Sequence, residues 1–177
     1  MDIKTTQKQL VQQHFDRWSE DYDSGPNSKW LQAWQTKILE VMSPQANEYI
    51  LDVGCGTGFA VRKLNQLVTT GKVFGLDISQ AMLAKAESNI ANCNNVELLV
   101  GDAENLPYEN EQFDRLMCAN CFHYFPNLAK VTQEFYRVLK HGGTAYILDS
   151  CRDVSPAIIF YDLARKKIAP DHVRYYH

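Results

Sequence analysis

The sequence predicts an α/β fold, a doubly wound and mainly parallel sheet preceded by helices. Three observations predict it. From Tyr49 onward, apolar strand-like runs alternate with short helical patterns, as in right-handed βαβ units. The first run, Ile50-Leu51-Asp52-Val53, opens into Gly54-Cys55-Gly56-Thr57-Gly58, where glycine at every second position lets a backbone approach a ligand closely. The run Phe113 to Ala119 is nearly all apolar after Asp114-Arg115, as a central parallel strand should be.

The elements follow in order. Leu10, Val11, His14, Phe15 and Trp18 recur at helical spacing over Gln9 to Trp18, and Asp21 to Asn27 is a break rich in turn formers. A second helix is expected from Ser28 to Met42, with Trp30, Leu31, Trp34, Ile38, Leu39 and Met42 on its apolar face and Ser43-Pro44 ending it. Tyr49 to Val53 is the first strand, and Phe59 to about Val68 the helix after the glycine turn. Lys72 to Leu76 is the second strand; Ser79 then caps a helix carrying Met82, Leu83, Ala86 and Ile90. Val96 to Val100 and Phe113 to Ala119 are the third and fourth strands. A helix from Leu128 to Lys140 buries Val131, Phe135, Val138 and Leu139 and stops at His141-Gly142-Gly143. Thr144 to Leu148 is the fifth strand, and Ser155-Pro156 opens a last helix running to about Ile168.

At 177 residues the chain has the length of one domain, and its net charge of −3 gives no basic footprint for nucleic acid. No apolar run is long enough to span a bilayer, and the polar start Met1 to Gln7 lacks the apolar core of a signal peptide. Five cysteines without a scaffold pattern read as free thiols of a reducing cytoplasm. Cys118 and Cys121 form a C-x-x-C, but both fall at the end of a buried strand and no second Cys/His pair stands at zinc spacing, so they read as core and no metal is expected.

Three motifs fall at the carboxyl ends of successive strands, where open α/β sheets bind ligands. They are the glycine turn, Asp77 after the second strand, and Gly101-Asp102-Ala103 after the third. Asp77 stands where a ribose needs a hydroxyl acceptor. A nicotinamide or flavin dinucleotide loop, G-x-G-x-x-G, would require glycine or alanine at position 59, where this chain has Phe59, and no Tyr-x-x-x-Lys pair supports an oxidoreductase. Each aspartate also has a bland reading: a solvated turn for Asp52, a helix N-terminal charge for Asp77, an Asx-turn for Asp102. Three such residues at three matching strand ends argue for a site.

Together these motifs resemble the class I S-adenosylmethionine-dependent methyltransferases. The resemblance runs from about Phe15 to Tyr176 and includes Phe113-Asp114 and Arg137 to Gly143. It is closest to the small-molecule branch that holds quinone-biosynthesis methyltransferases and the malonyl-carrier-protein methyltransferase of biotin synthesis. It implies a Rossmann-like sheet of order 3-2-1-4-5, with a helical N-terminal cap over 1–44, a cofactor-binding core over 45–150 and the start of a C-terminal part over 151–177. It implies S-adenosylmethionine as cofactor, leaving S-adenosylhomocysteine as product. Asp52 and Gly54 would hold the methionine end, with Gly56 and Gly58 keeping the loop close. Asp77 would accept both ribose hydroxyls and Ile78 would pack on adenine. Asp102 would accept from the adenine amine while the Ala103 amide donates to the ring. Asn120 would lie near the methionine carboxylate or amine, and Tyr22 would cover the cofactor unless it is a surface turn tyrosine.

Methyl transfer from a sulfonium mainly requires proximity and alignment. A general base helps only where the acceptor must lose a proton. His123 is the candidate base, with a pocket-lining imidazole as the alternative; Tyr124 and Phe125 would line the acceptor pocket or belong to the core. The implied partner is a small-molecule or carrier-bound methyl acceptor, with no nucleic acid. The family's sheet has seven strands and five are counted here, so the sequence looks like the family with its last two strands absent. A shortened chain, oligomerisation across the exposed edge of the fifth strand, or the helix from Ser155 folded over that edge would each account for this. The competing function is a non-catalytic cofactor-binding or partner-binding protein.

Overall fold

Ile50, Leu51 and Val53 are all fully buried, because helices cover both faces of the strand that carries them. The computed structural model describes residues 3–149. In chain order these form α1 (Ile3–Trp18), α2 (Ser28–Met42), β1 (Tyr49–Val53), α3 (Phe59–Leu67), β2 (Lys72–Asp77), α4 (Gln80–Asn89), β3 (Val96–Val100), β4 (Phe113–Ala119), α5 (Leu128–Val138) and β5 (Leu139–Leu148). A 3-10 turn, Phe122–Tyr124, follows β4. The helix expected from Ser155, the rest of 151–177 and Cys151 lie outside the described residues.

The sheet has the expected order, β3-β2-β1-β4-β5, with every pair parallel. Successive side chains of a strand point to opposite faces, so β1 feeds two cores. Ile50 packs with Leu39, Met42, Val61, Leu64, Leu83 and Met117. Leu51 and Val53 pack with Phe74, Phe113, Leu116, Val131, Phe135 and Val138. Val53 lies opposite Leu76, and Asp77 opposite Val100. This register brings the carboxyl ends of β1, β2 and β3 level, which sets the three motifs side by side.

Three expectations are corrected. First, α1 begins at Ile3, not near Gln9, because its first turns carry no apolar stripe that periodicity detects. Second, α2 buries Ile38, Leu39 and Met42, but Trp30 and Trp34 are 55% and 43% exposed, since only the C-terminal half of this helix reaches the sheet. Third, α5 ends at Val138 and the chain turns extended at Leu139, which pairs with Phe113. The ladder resumes at Thr144 opposite Arg115, so Lys140 to Gly143 bulge out against Asp114. Lys140 Nζ holds both Asp114 oxygens at 2.8 Å, fixing the bulge.

Candidate functional site

The glycine turn is held by the protein's own hydrogen bonds. The amides of Gly54 and Cys55 donate to the Leu76 carbonyl at 2.7 and 3.1 Å, which ties the turn to the end of β2. The Gly56 amide donates to Asp77 Oδ2 at 2.8 Å, and the Ser79 amide donates to Asp77 Oδ1 at 2.9 Å. Gly54 has φ 74°, and a Cβ there would stand 2.4 Å from Cys121 Sγ, so any side chain at this position is strained and has to displace Cys121. A Cβ at Gly56 would meet nothing within 4 Å. That open space is where a ligand has room to lie on the backbone.

A cavity of about 730 Å3, its open mouth included, spreads over the strand ends, within the usual range for a small-molecule site. Of the sequence-predicted residues, Tyr22, Gly54, Gly56, Asp77, Ile78, Asp102, Ala103 and Asn120 line it. Gly58, Asp52 and His123 are not in its wall. Gly58 caps α3, and a Cβ there would meet the Ala86 Cβ at 3.0 Å, so its small size serves the packing of α3 on α4. Asp52 is buried beneath the turn in β1, paired with Gly75 and Met117. His123 is 5% exposed; its amide donates to Asp149 Oδ2 at 2.8 Å, and its Nδ1 lies 2.7 Å from Asp149 Oδ1. Its neighbours Tyr124 and Phe125 do face the cavity.

The electrostatics are those of buried acids. Burial, and then the nearby Asp77 charge, push the Asp52 carboxyl up to about 8. Burial also raises Asp77, against the opposing hydrogen bonds from Ser79 and Gly56. Burial raises the Tyr22 phenol. Asn120, with φ 61°, holds a conformation rare outside glycine, and its Nδ2 is buried with no hydrogen-bond partner among the described residues. A strained residue with an unused donor in a cavity wall marks a place for a ligand acceptor.

Sequence reasoning missed Lys8, Val11, Phe15 and Cys121 in the same wall. The apolar spacing of α1 signalled Val11 and Phe15 as buried, though not what they face. Cys121 is only partly core: its Sγ lies 3.2 Å from Cys118 Sγ and donates to the Val53 carbonyl at 3.2 Å. The N-terminal segment is tied down all around the cavity. Lys8 pairs with Asp102 and Glu104, Ser79 Oγ donates to Asp16 at 2.6 Å, Lys85 pairs with Glu20, and Thr57 Oγ1 donates to Asp23 at 2.8 Å.

Comparison with known proteins agrees with this geometry. Residues 50–143 match the methyltransferase domain family. A demethylmenaquinone methyltransferase of Oceanobacillus iheyensis is 37% identical over 132 residues, which cover 73% of this chain and 54% of that protein. Across three relatives of that name, the chain spans 54% to 64% of their length. A putative methyltransferase from Bacillus halodurans superposes with TM-score 0.70 at 32% identity, covering 79% of this chain and 61% of that one. Another, from a complex with a Haloferax volcanii methyltransferase activator, gives TM-score 0.77 at 28% identity, covering 92% and 70%.

Proposed function

Because the chain belongs to the methyltransferase domain family, of the class I S-adenosylmethionine-dependent type, we propose that it transfers the methyl group of S-adenosylmethionine to a small-molecule acceptor. The observation that carries this reading is the single cavity wall shared by Gly56, Asp77, Asp102 and the side-chain amide of Asn120, which has no partner among the described residues. The residues present fit the cofactor. Asp77, fixed by two backbone donors, keeps lone pairs for the ribose hydroxyls. Asp102 and the Ala103 amide suit the donor and acceptor edge of adenine. Asn120 Nδ2 suits the methionine carboxylate. Asp52 lies under Gly54, where a cationic amine favours its ionised form. Tyr22, wedged against Trp18 with ring centroids 4.8 Å apart, closes the top.

The cofactor supplies an activated methyl on sulfur; the protein supplies alignment and excludes water. Phe15 and Tyr124, in edge contact at 5.0 Å, form with Phe125 and Val11 an apolar wall on the acceptor side. That wall suits a flat ring, and the demethylmenaquinone methyltransferases among the relatives bring a quinone-type ring as the proposed acceptor. His123, oriented by Asp149, is the proposed base only for an acceptor that must lose a proton. The free state of the four described cysteines fits the proposed cytoplasmic setting. Among the described residues no helix is long and apolar enough to cross a membrane.

Calorimetric titration with S-adenosylhomocysteine, with Asp77→Ala as control, tests the cofactor. Micromolar binding that the variant loses supports the reading; binding of NADH instead would overturn it. Turnover with a demethylated quinone then separates an enzyme from a protein that only binds the cofactor.

A further inference from the structure

Lys8 reaches from α1 to partners 94 residues away. Its Nζ donates to Asp102 Oδ2 at 2.7 Å and lies 2.8 Å from Glu104 Oε2. Asp102 Oδ1 accepts from the Glu104 amide at 2.9 Å. Both oxygens of Asp102 are therefore held, and the plane of its carboxylate is set. Each oxygen keeps a further lone pair, because a carboxylate offers about four acceptor sites. Glu104 Oε1 is buried with no hydrogen-bond partner among the described residues. Burial works to lower the Lys8 ammonium, but the hydrogen bonds to both acids outweigh it and raise it, so the ion pair is intact at neutral pH. One cation between two carboxylates leaves this end of the cavity net negative and rich in acceptors. It suits a ligand edge that donates and repels one that presents a carbonyl oxygen.

We propose that Lys8 is a positioning residue for base recognition: by pinning Asp102 in the cavity wall it makes the site select a 6-aminopurine nucleoside over its 6-oxo counterpart. This rests on the cofactor reading given above. Lys8 does not need to touch the base; it acts through Asp102. Without it, Asp102 is held by one hydrogen bond and turned by the like charge of Glu104, and the fixed acceptor is lost. A lysine that only straps α1 to the core would behave differently. It would weaken every ligand of the cavity by the same factor.

The test is titration of the full chain with S-adenosylhomocysteine and S-inosylhomocysteine, for wild type, Lys8→Met, Lys8→Arg and Glu20→Ala. A hydrogen bond to a charged group is strong enough for the wild type to prefer the adenosyl ligand by about tenfold or more. Lys8→Met is expected to lower that ratio at least fivefold, roughly half of what one such bond supplies on a logarithmic scale or more, and Lys8→Arg to restore most of it. Glu20→Ala removes another tie of the N-terminal segment, the pair just past α1 with Lys85, and should change both ligands by the same factor. If Lys8→Met also weakens both equally and keeps the ratio, Lys8 is a strap and the proposal is wrong. A folded wild type that binds neither nucleoside would instead overturn the cofactor reading, and the proposal with it.

Discussion

With the cofactor's ammonium above Gly54, as proposed, Asp52 is expected to make cofactor binding depend on pH, and the dependence can be worked out. Its carboxyl is raised to about 8 by burial and by Asp77. At that value roughly one molecule in a hundred is ionised at pH 6 and about half at pH 8. A ligand whose ammonium lies above Gly54 favours the ionised form. Strict coupling then strengthens binding about 50-fold between pH 6 and pH 8, with release of close to one proton near pH 6.5. Stability of the empty protein runs the other way. The folded carboxyl is raised above its ordinary value of 3.8, so stability is fully present below that value and is lost as pH climbs toward 8. Asp77 is raised as well, so the two titrate as a pair, and Asp52→Asn isolates the share of Asp52. Calorimetry with S-adenosylhomocysteine in buffers of different ionisation enthalpy reads both affinity and protons. An affinity constant within twofold across this range, with no proton release, would refute the reasoning. So would an Asp52→Asn variant with the wild-type slope.

Other consequences are as direct. Gly54→Ala forces a Cβ to 2.4 Å from Cys121 Sγ at φ 74°, and should abolish cofactor binding. Adding Cys121→Ala should relieve the contact but not the backbone strain, so binding stays weak by titration. Glu134, 7% exposed, accepts from the Leu106 amide and from Arg137 at 2.8 Å each. Glu134→Ala leaves the Leu106 amide without its acceptor and Arg137 without its carboxylate, keeping only its bonds to the Leu106 and Tyr108 carbonyls and to Asn110, and should lower unfolding stability by about 2–3 kcal/mol, read by denaturant titration. Arg137 holds the Glu134 carboxyl below its ordinary range, so its contribution is present above pH 4.5 and fades as pH falls through the depressed value; a midpoint unchanged on acidification would count against this. His123→Gln should keep S-adenosylhomocysteine affinity within about threefold, a change of less than one hydrogen bond, because the ring is outside the cavity wall.

Much of the fold was written in local pattern. Tyr49–Val53, Val96–Val100 and Phe113–Ala119 fall where apolar runs bounded by turn residues placed them, and Asp77 and Asp102 stand at the strand ends where their motifs put them. What was hidden depends on distance in the chain. Lys8 meets Asp102 across 94 residues, and no spacing rule reaches that far. The exposure of Trp30 and Trp34 depends on how far α2 extends past the sheet, which a helical stripe does not encode. The end of α5 was misplaced because Leu139 has the residue type for a helix face, yet its pairing with Phe113 draws it into the sheet. The glycines looked alike in sequence, but Gly54 answers to Cys121, Gly56 to open space and Gly58 to Ala86.

The turn and Asp77 are hydrogen-bonded to one another on the strand ends, so the floor of the cavity is tied together by the protein itself. The N-terminal segment is fastened at Asp102, Ser79, Lys85 and Thr57, four places spread around the opening. On the cofactor reading proposed above, a bound nucleoside is expected to leave when these ties open, so its dwell time should follow the lifting of the N-terminal segment as much as the grip of the pocket.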